Sequence, residues 1–209
     1  MAGNVFFSVS MSLDGYIAPE APEAPEELMG QQWMELQAWA FPQRFFRENL
    51  KLGEGGEEGL DNDIARETFE RTGASVMGKR MFEAGEQAWP EEAPFHTPVF
   101  VVTHEQRDPW ERLGGTIFHF VNDGIETALD QAREAAGDRD VRIAGGGATI
   151  LEHVNAGLID EFSIALSPVL FGSGIRLFEG VDAGRVALEQ GRADPSPRAT
   201  HLTYTVRER

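Results

Sequence analysis

Three short stretches of the 209-residue chain carry residue types suited to holding phosphate. "VRIAGGGATILEHV", residues 141–154, sets Gly145, Gly146 and Gly147 between an apolar β-type run and an amphipathic helix. Glycine tolerates positive φ and has no Cβ, so backbone N–H groups can approach a phosphate. A helix beginning near Ala148 adds the positive end of its dipole. A diphosphate suits that place; a tight turn or a close strand crossing is the other reading. "MGKR" sets Lys79 and Arg80 at a second helix start, after a turn at Gly78. Cations oppose the dipole there and are a poor choice for stability, which an anion resting on them would explain. Arg clasps a phosphate with two parallel hydrogen bonds and Lys adds a point charge. Thr103 and His104 end a third apolar run with a hydroxyl and an imidazole, a pair that alone reads as a loop start. Together the three strand ends suit a ligand with phosphates at two separated places, such as NADPH.

The elements that must position these residues follow from hydrophobic period and turn signals. Asn4 to Met11 is a β-rich run ending at the turn Ser12-Leu13-Asp14-Gly15. A strand is expected over Ala74 to Met77 before the "GKR" helix, and again in "TPVFVVTHE" and "GTIFHFV". Asp123 can cap a helix whose Ile125, Ala128, Leu129 and Ala132 share one face before Gly137 stops it. The helix after the glycines turns Ile150, Leu151 and Val154 inward and ends at Gly157. "DEFSIALSPVLFG", "RVALEQGR" and "THLTYTVRER" are strand-like. Strands alternating with helices and finishing in hairpin material predict an α/β sheet, mostly parallel, with antiparallel strands at its end.

From Pro19 to Asp63 the composition changes. "APEAPEE" and "GEGGEEGLDND" are acidic and rich in Pro or Gly, and they bracket "QQWMELQAWAFPQRFF". This predicts an insertion at about 19–60 in a single domain, with a helix following at about Ile64 to Thr72. Trp33, Trp39, Phe41 and Phe46 read either as a helix packed on the core or as a lid or wall for a flat substrate.

Composition narrows the function classes. Thirty-five carboxylates against 18 Lys plus Arg give a net charge of −17, which opposes non-specific attraction to nucleic acid or anionic lipid. With no cysteine there is neither disulfide nor thiolate metal site. The five histidines, at 96, 104, 119, 153 and 201, have no paired ligand spacing, so no metal centre is expected. No run of about 18 apolar residues is present and the N-terminus has no basic start, so a soluble cytoplasmic protein is expected.

"SVSMSLDGYIA", "VMGKRMFE", "VVTH", "IAGGGATI" and "DEFSIALSPVLFGSGIRLFEG" fall in the order and spacing of the dihydrofolate reductase-like proteins. The chain most resembles the branch containing the reductase domain of bacterial riboflavin biosynthesis, with residues 19–60 the least matched part. That resemblance implies a central mixed, mostly parallel sheet of about eight strands flanked by helices, with NADPH as cofactor. It places Ala144, Gly145, Gly146, Gly147, Ala148 and Thr149 at the diphosphate. Gly78, Lys79, Arg80, Thr103 and His104 then surround the adenosine 2′-phosphate, and the loop from Leu13 to Ala18 lies near the nicotinamide and substrate. Relatives of the riboflavin type tend to carry a glutamate just before the glycines; here that place is Ala144. The acidic residue that dihydrofolate reductases carry after the first loop has three candidates, Glu27, Glu35 and Glu48.

Hydride transfer asks little of side chains, because the nicotinamide carries the chemistry and the protein supplies orientation and a dry pocket. Asp14 is the acidic group expected at the strand end facing the pocket; as the aspartate of a "DG" turn it can equally bond its own backbone. Tyr16 can donate a hydrogen bond or stack on a ring, and Trp39 can flank the substrate. The expected function is an NADPH-dependent reductase of a small heterocyclic or conjugated C=N or C=O substrate, acting as a homodimer. A non-catalytic NADPH-binding module is the alternative, and glycines that serve packing alone in an assembly partner are a third reading.

Overall fold

The computed structural model describes residues 3–20 and 30–208. In the first strand, β1 (Val5–Ser12), side chains alternate between two faces, with Val5, Phe7, Val9 and Met11 on one and Phe6, Ser8, Ser10 and Ser12 on the other. The chain turns at Leu13–Gly15 into β2 (Tyr16–Ala18). The aromatic segment then forms two short helices, α1 (Gln31–Leu36) and α2 (Arg44–Asn49), separated by turns around Pro42. Helix α3 (Leu60–Arg71) starts four residues before the expected Ile64. "LDND" supplies its first turn, where Asp61 and Asp63 suit the positive end of the dipole.

Next come β3 (Thr72–Gly78), α4 (Lys79–Glu86), β4 (Pro98–Val102), β5 (Trp110–Glu111), β6 (Ile117–Val121) and α5 (Gly124–Ala136). They are followed by β7 (Asp140–Gly145), α6 (Gly147–Asn155), β8 (Glu161–Ser167), β9 (Ile175–Arg176), β10 (Val186–Pro195) and β11 (Thr200–Glu208). The main sheet has nine strands in the order β10-β11-β8-β1-β7-β3-β4-β6-β5, and β2 pairs with β9 in a second, two-stranded sheet. From β8 to β6 every neighbour is parallel; β11, β10 and β5 are antiparallel at the edges. The mostly parallel sheet read from the sequence is therefore present. The two-residue β5 and β9 and the three-residue β2 are too short for hydrophobic period to reveal.

Helices α5 and α6 cover one face. Ala128, Leu129, Ala132, Ile150 and Val154 pack on Val5, Phe7, Val76, Val141 and Ile143. On the other face Phe82 of α4 packs with Met77, Val99, Val101 and Phe118. Each such Phe contributes about 1.5–3 kcal/mol on burial. That second face changes character at the central pair of strands. Register sets Phe6 opposite Arg142, so β1 presents Ser8 and Ser10 beside Arg142 and Ala144 of β7. Small and polar side chains there leave room above the sheet, and the insertion roofs it.

Candidate functional site

A cavity of about 970 Å³ lies over that polar part of the sheet. Ser8, Ser10, Arg142 and Ala144 form its floor, while Ala65, Thr68 and Phe69 of α3 border it. Trp33, Trp39, Phe41 and Phe46 of the insertion form a wall. In the aromatic segment Leu36 and Ala40 bury in the protein, while Trp33, Trp39, Phe41 and Phe46 line the cavity. The wall is tied to the sheet through Ser10, whose Oγ accepts from Trp39 Nε1 (2.8 Å) and donates to Gln37 Oε1 (2.8 Å). Ser167 Oγ donates to the Leu36 carbonyl at 2.8 Å.

All twelve positions expected at a cofactor line this one cavity: Ala18, Gly78, Lys79, Arg80, Thr103, His104, Ala144, Gly145, Gly146, Gly147, Ala148 and Thr149. The parallel strands β7, β3 and β4 are adjacent, so their carboxyl ends deliver the glycines, Lys79-Arg80 and Thr103-His104 side by side. Helices α4 and α6 begin there with no side-chain cap, which leaves first-turn N–H groups available.

Local geometry calls for glycine at two of the three positions and not at the third. Gly145 has φ +132 and is joined to Gly146 by a cis peptide. A Cβ on Gly147 would stand 2.9 Å from Ile175 Cγ2 and 3.2 Å from Ile17 Cδ1. Gly146 has an ordinary φ of −58, and a Cβ there would meet no protein atom within 4 Å. No protein atom accounts for the bare backbone at 146, which lines the open cavity. Gly78, at the end of β3, is bare because Thr149 Oγ1 of α6 lies where a Cβ would stand.

Lys79 Nζ contacts Glu105 (2.5 Å) and Glu83 (3.4 Å), and the hydrogen bond to Glu105 raises its pKa. The unfavourable cation at a helix start is thus partly neutralised by the protein itself. Arg80 is exposed at the rim. Thr103 is buried and its Oγ1 accepts from the Glu105 N–H at 3.1 Å; Asn122 Nδ2 donates to the carbonyls of Thr103 and Glu105.

Asp14 and Tyr16 fall outside the cavity lining. The Asp14 carboxylate accepts from the Ser12 hydroxyl (2.6 Å) and from the N–H groups of Phe171 and Gly172. The Ser12 bond above all holds its pKa down at about 2, so at neutral pH it carries no proton to give. Asp14 thus bonds the Ser12 hydroxyl within its turn and the backbone of a loop far along the chain. Tyr16 is buried, its hydroxyl donating to the Gly172 carbonyl (3.3 Å) and accepting from Arg176 (3.0 Å). Glu35 and Glu48 do not line the cavity, and Glu27 lies outside the described residues. Among the described lining residues the single carboxylate is Glu152, on α6. Arg142 was missed from sequence; its signal is a charged residue inside the otherwise apolar run of a central strand.

The RibD C-terminal domain family matches residues 4–198. The chain belongs to that family. Its fold is shared with solved structures of low identity. A proposed riboflavin biosynthesis protein from Shewanella sp. PV-4 is 21% identical, with a TM-score of 0.66 and 99% of each chain covered. Dihydrofolate reductase from Enterococcus faecalis, complexed with NADP(H), is 16% identical with a TM-score of 0.54, covering 100% of this chain and 98% of that one. The riboflavin biosynthesis reductase of Saccharomyces cerevisiae is 11% identical with a TM-score of 0.56, covering 99% of this chain and 90% of that one. In sequence, the uncharacterized protein YyaP of Bacillus subtilis is 36% identical over 59 residues. That match spans 28% of this chain and 31% of the relative, under a third of its length. The dihydrofolate reductase-like fold and the family read from the motifs therefore both stand.

Proposed function

We propose that the chain is an NADPH-dependent reductase that transfers a hydride to a small heterocyclic or conjugated C=N or C=O substrate. The observation that carries this is the convergence of twelve positions from four separate segments on one cavity with two uncapped helix N-termini. Diphosphate oxygens would lie against Gly146 and the start of α6. The adenosine phosphate would lie near Arg80, Lys79, Thr103 and His104, and the nicotinamide near Ala18. The cofactor supplies the hydride; the protein orients it and excludes water with the aromatic wall. A dianionic phosphate displaces Glu105 from Lys79 at little cost, because exposed ion pairs contribute little. Membership of a family named for a reductase domain and the NADP(H)-bound relative support this reading.

Nicotinamide fluorescence titration tests it. NADPH is expected to bind more tightly than NADH, and changing Lys79 and Arg80 together to Ala is expected to weaken NADPH by about tenfold per residue with NADH nearly unchanged. Equal losses for both cofactors would overturn the assignment of the 2′-phosphate. A non-catalytic NADPH-binding module is the second reading, favoured because the described lining residues include no carboxylate other than Glu152. It requires NADPH binding without oxidation across a panel of imines and conjugated carbonyls.

A cytoplasmic homodimer completes the proposal. Leu170 (74% exposed) and Phe178 (40%), on either side of β9, and Leu188 of β10 (51%) supply apolar surface for a second copy. Light scattering at micromolar concentration is expected to give twice the mass of 23.1 kDa; a monomer contradicts it.

A further inference from the structure

Arg142 is the one cavity-lining cation that lies deep in the sheet rather than at a strand end. Its Nε is wholly buried with no acceptor in reach among the described residues, and the side chain makes no ion pair there. In a chain with about twice as many acids as bases, other arginines find carboxylates. Arg71 pairs with Asp140 and Glu161, Arg107 with Glu86, and Arg198 with Glu57. The partner of Arg142 is the ring of Phe69, 5.1 Å from the guanidinium carbon. Phe69 is itself packed on Phe45 of the insertion. Burial pushes the Arg142 pKa down to about 10, which leaves it a cation at neutral pH. Arg142 as a whole is half-buried; a cation whose buried Nε lacks an acceptor is costly to folding, and the aromatic face offsets only part of that cost. Its position separates it from the diphosphate loop. It precedes Gly145 by three residues, about 10 Å along a parallel strand, and its guanidinium is drawn toward α3 and the insertion.

We propose that Arg142 receives an oxyanion, a carboxylate or phosphate ester, on the flat substrate that fills the cavity beyond the cofactor. Phe69 covers one face of the guanidinium, so its N–H edge remains to bond the oxyanion in plane. Ser8 and Ser10 on the floor offer hydroxyls, and the insertion's aromatic rings flank a planar body. This rests on the reductase reading for the word substrate; the oxyanion site itself does not depend on cofactor binding.

The test uses three flat probes of one shape, 2-naphthoate, 2-naphthyl phosphate and neutral 2-naphthamide, titrated by tryptophan fluorescence against the parent and Arg142→Met. The parent is expected to prefer one oxyanion over the amide by about tenfold, with the tighter of the two identifying carboxylate or phosphate. Arg142→Met is expected to lose that preference, to bind NADPH as the parent does, and to melt no lower than the parent because a cation whose buried Nε lacks an acceptor has been removed. A preference that survives in Arg142→Met overturns the proposal, as does no saturable binding of either oxyanion by the parent. A melting temperature several degrees lower in Arg142→Met makes the residue structural and also overturns it. If the parent binds no NADPH while the oxyanion preference still disappears in Arg142→Met, the reductase reading falls and the oxyanion site stands.

Discussion

The carboxylate of Asp14 accepts from one hydroxyl and two backbone N–H groups, and those bonds exist only in the folded chain. Its folded pKa, about 2, is below the ordinary value of 3.8. A carboxylate depressed in this way contributes stability above its unfolded pKa and loses it as pH falls through the folded one. Asp14→Asn is therefore expected to melt below the parent at pH 7, with the gap narrowing as the pH is lowered from 4 toward 2. Thermal melts across that range check it; a gap that is constant or widens on acidification contradicts the role. A group so firmly ionised is suited to tying the Ser12–Gly15 turn to the Phe171–Gly172 loop and unsuited to donating a proton. The sequence could not separate these roles because two of the donors, Phe171 and Gly172, lie 157 and 158 residues away.

At the scale of elements, the insertion stays in place through a few buried polar ties. Ser167 of β8, 2% exposed, donates to the carbonyl of Leu36, 0% exposed. Ser167→Ala leaves that carbonyl without its partner, a loss of about 1–3 kcal/mol. The variant is expected to melt several degrees lower and to expose the Trp33 and Trp39 wall to a fluorescence quencher; parental melting and quenching contradict the tie. The parallel strands and the helices after them were legible because their periods are long and their stops are glycines or polar pairs, as in "VRIAGGG" and "VMGKR". The three strand ends were legible as a group for the same reason. The insertion's role was only half legible, because the roof it forms depends on Ser10, Ser167 and Asn62, none of which announces its partner. Arg142 was hidden for another reason: the ring it meets, Phe69, lies on α3, far from it in the chain.

At the scale of the whole molecule, a chain of net charge −17 lines its large cavity with Lys79, Arg80 and Arg142 against, among the described residues, the carboxylate of Glu152. Such a local reversal of charge concentrates anions where the bulk field repels them. The central claim is that this cavity holds a dinucleotide with its diphosphate against the glycine loop. Gly146 tests it most directly, because its φ of −58 suits any residue and its missing Cβ faces no protein atom. The decisive measurement is the NADPH dissociation constant of Gly146→Val, taken beside its melting temperature and those of the parent. A branched side chain there would occupy the space of phosphate oxygens while the fold has room for it. The expected result is a melting temperature close to the parent's with NADPH affinity reduced by about tenfold or more. Parental NADPH affinity together with a melting temperature several degrees lower would contradict the claim and return the glycines to packing alone.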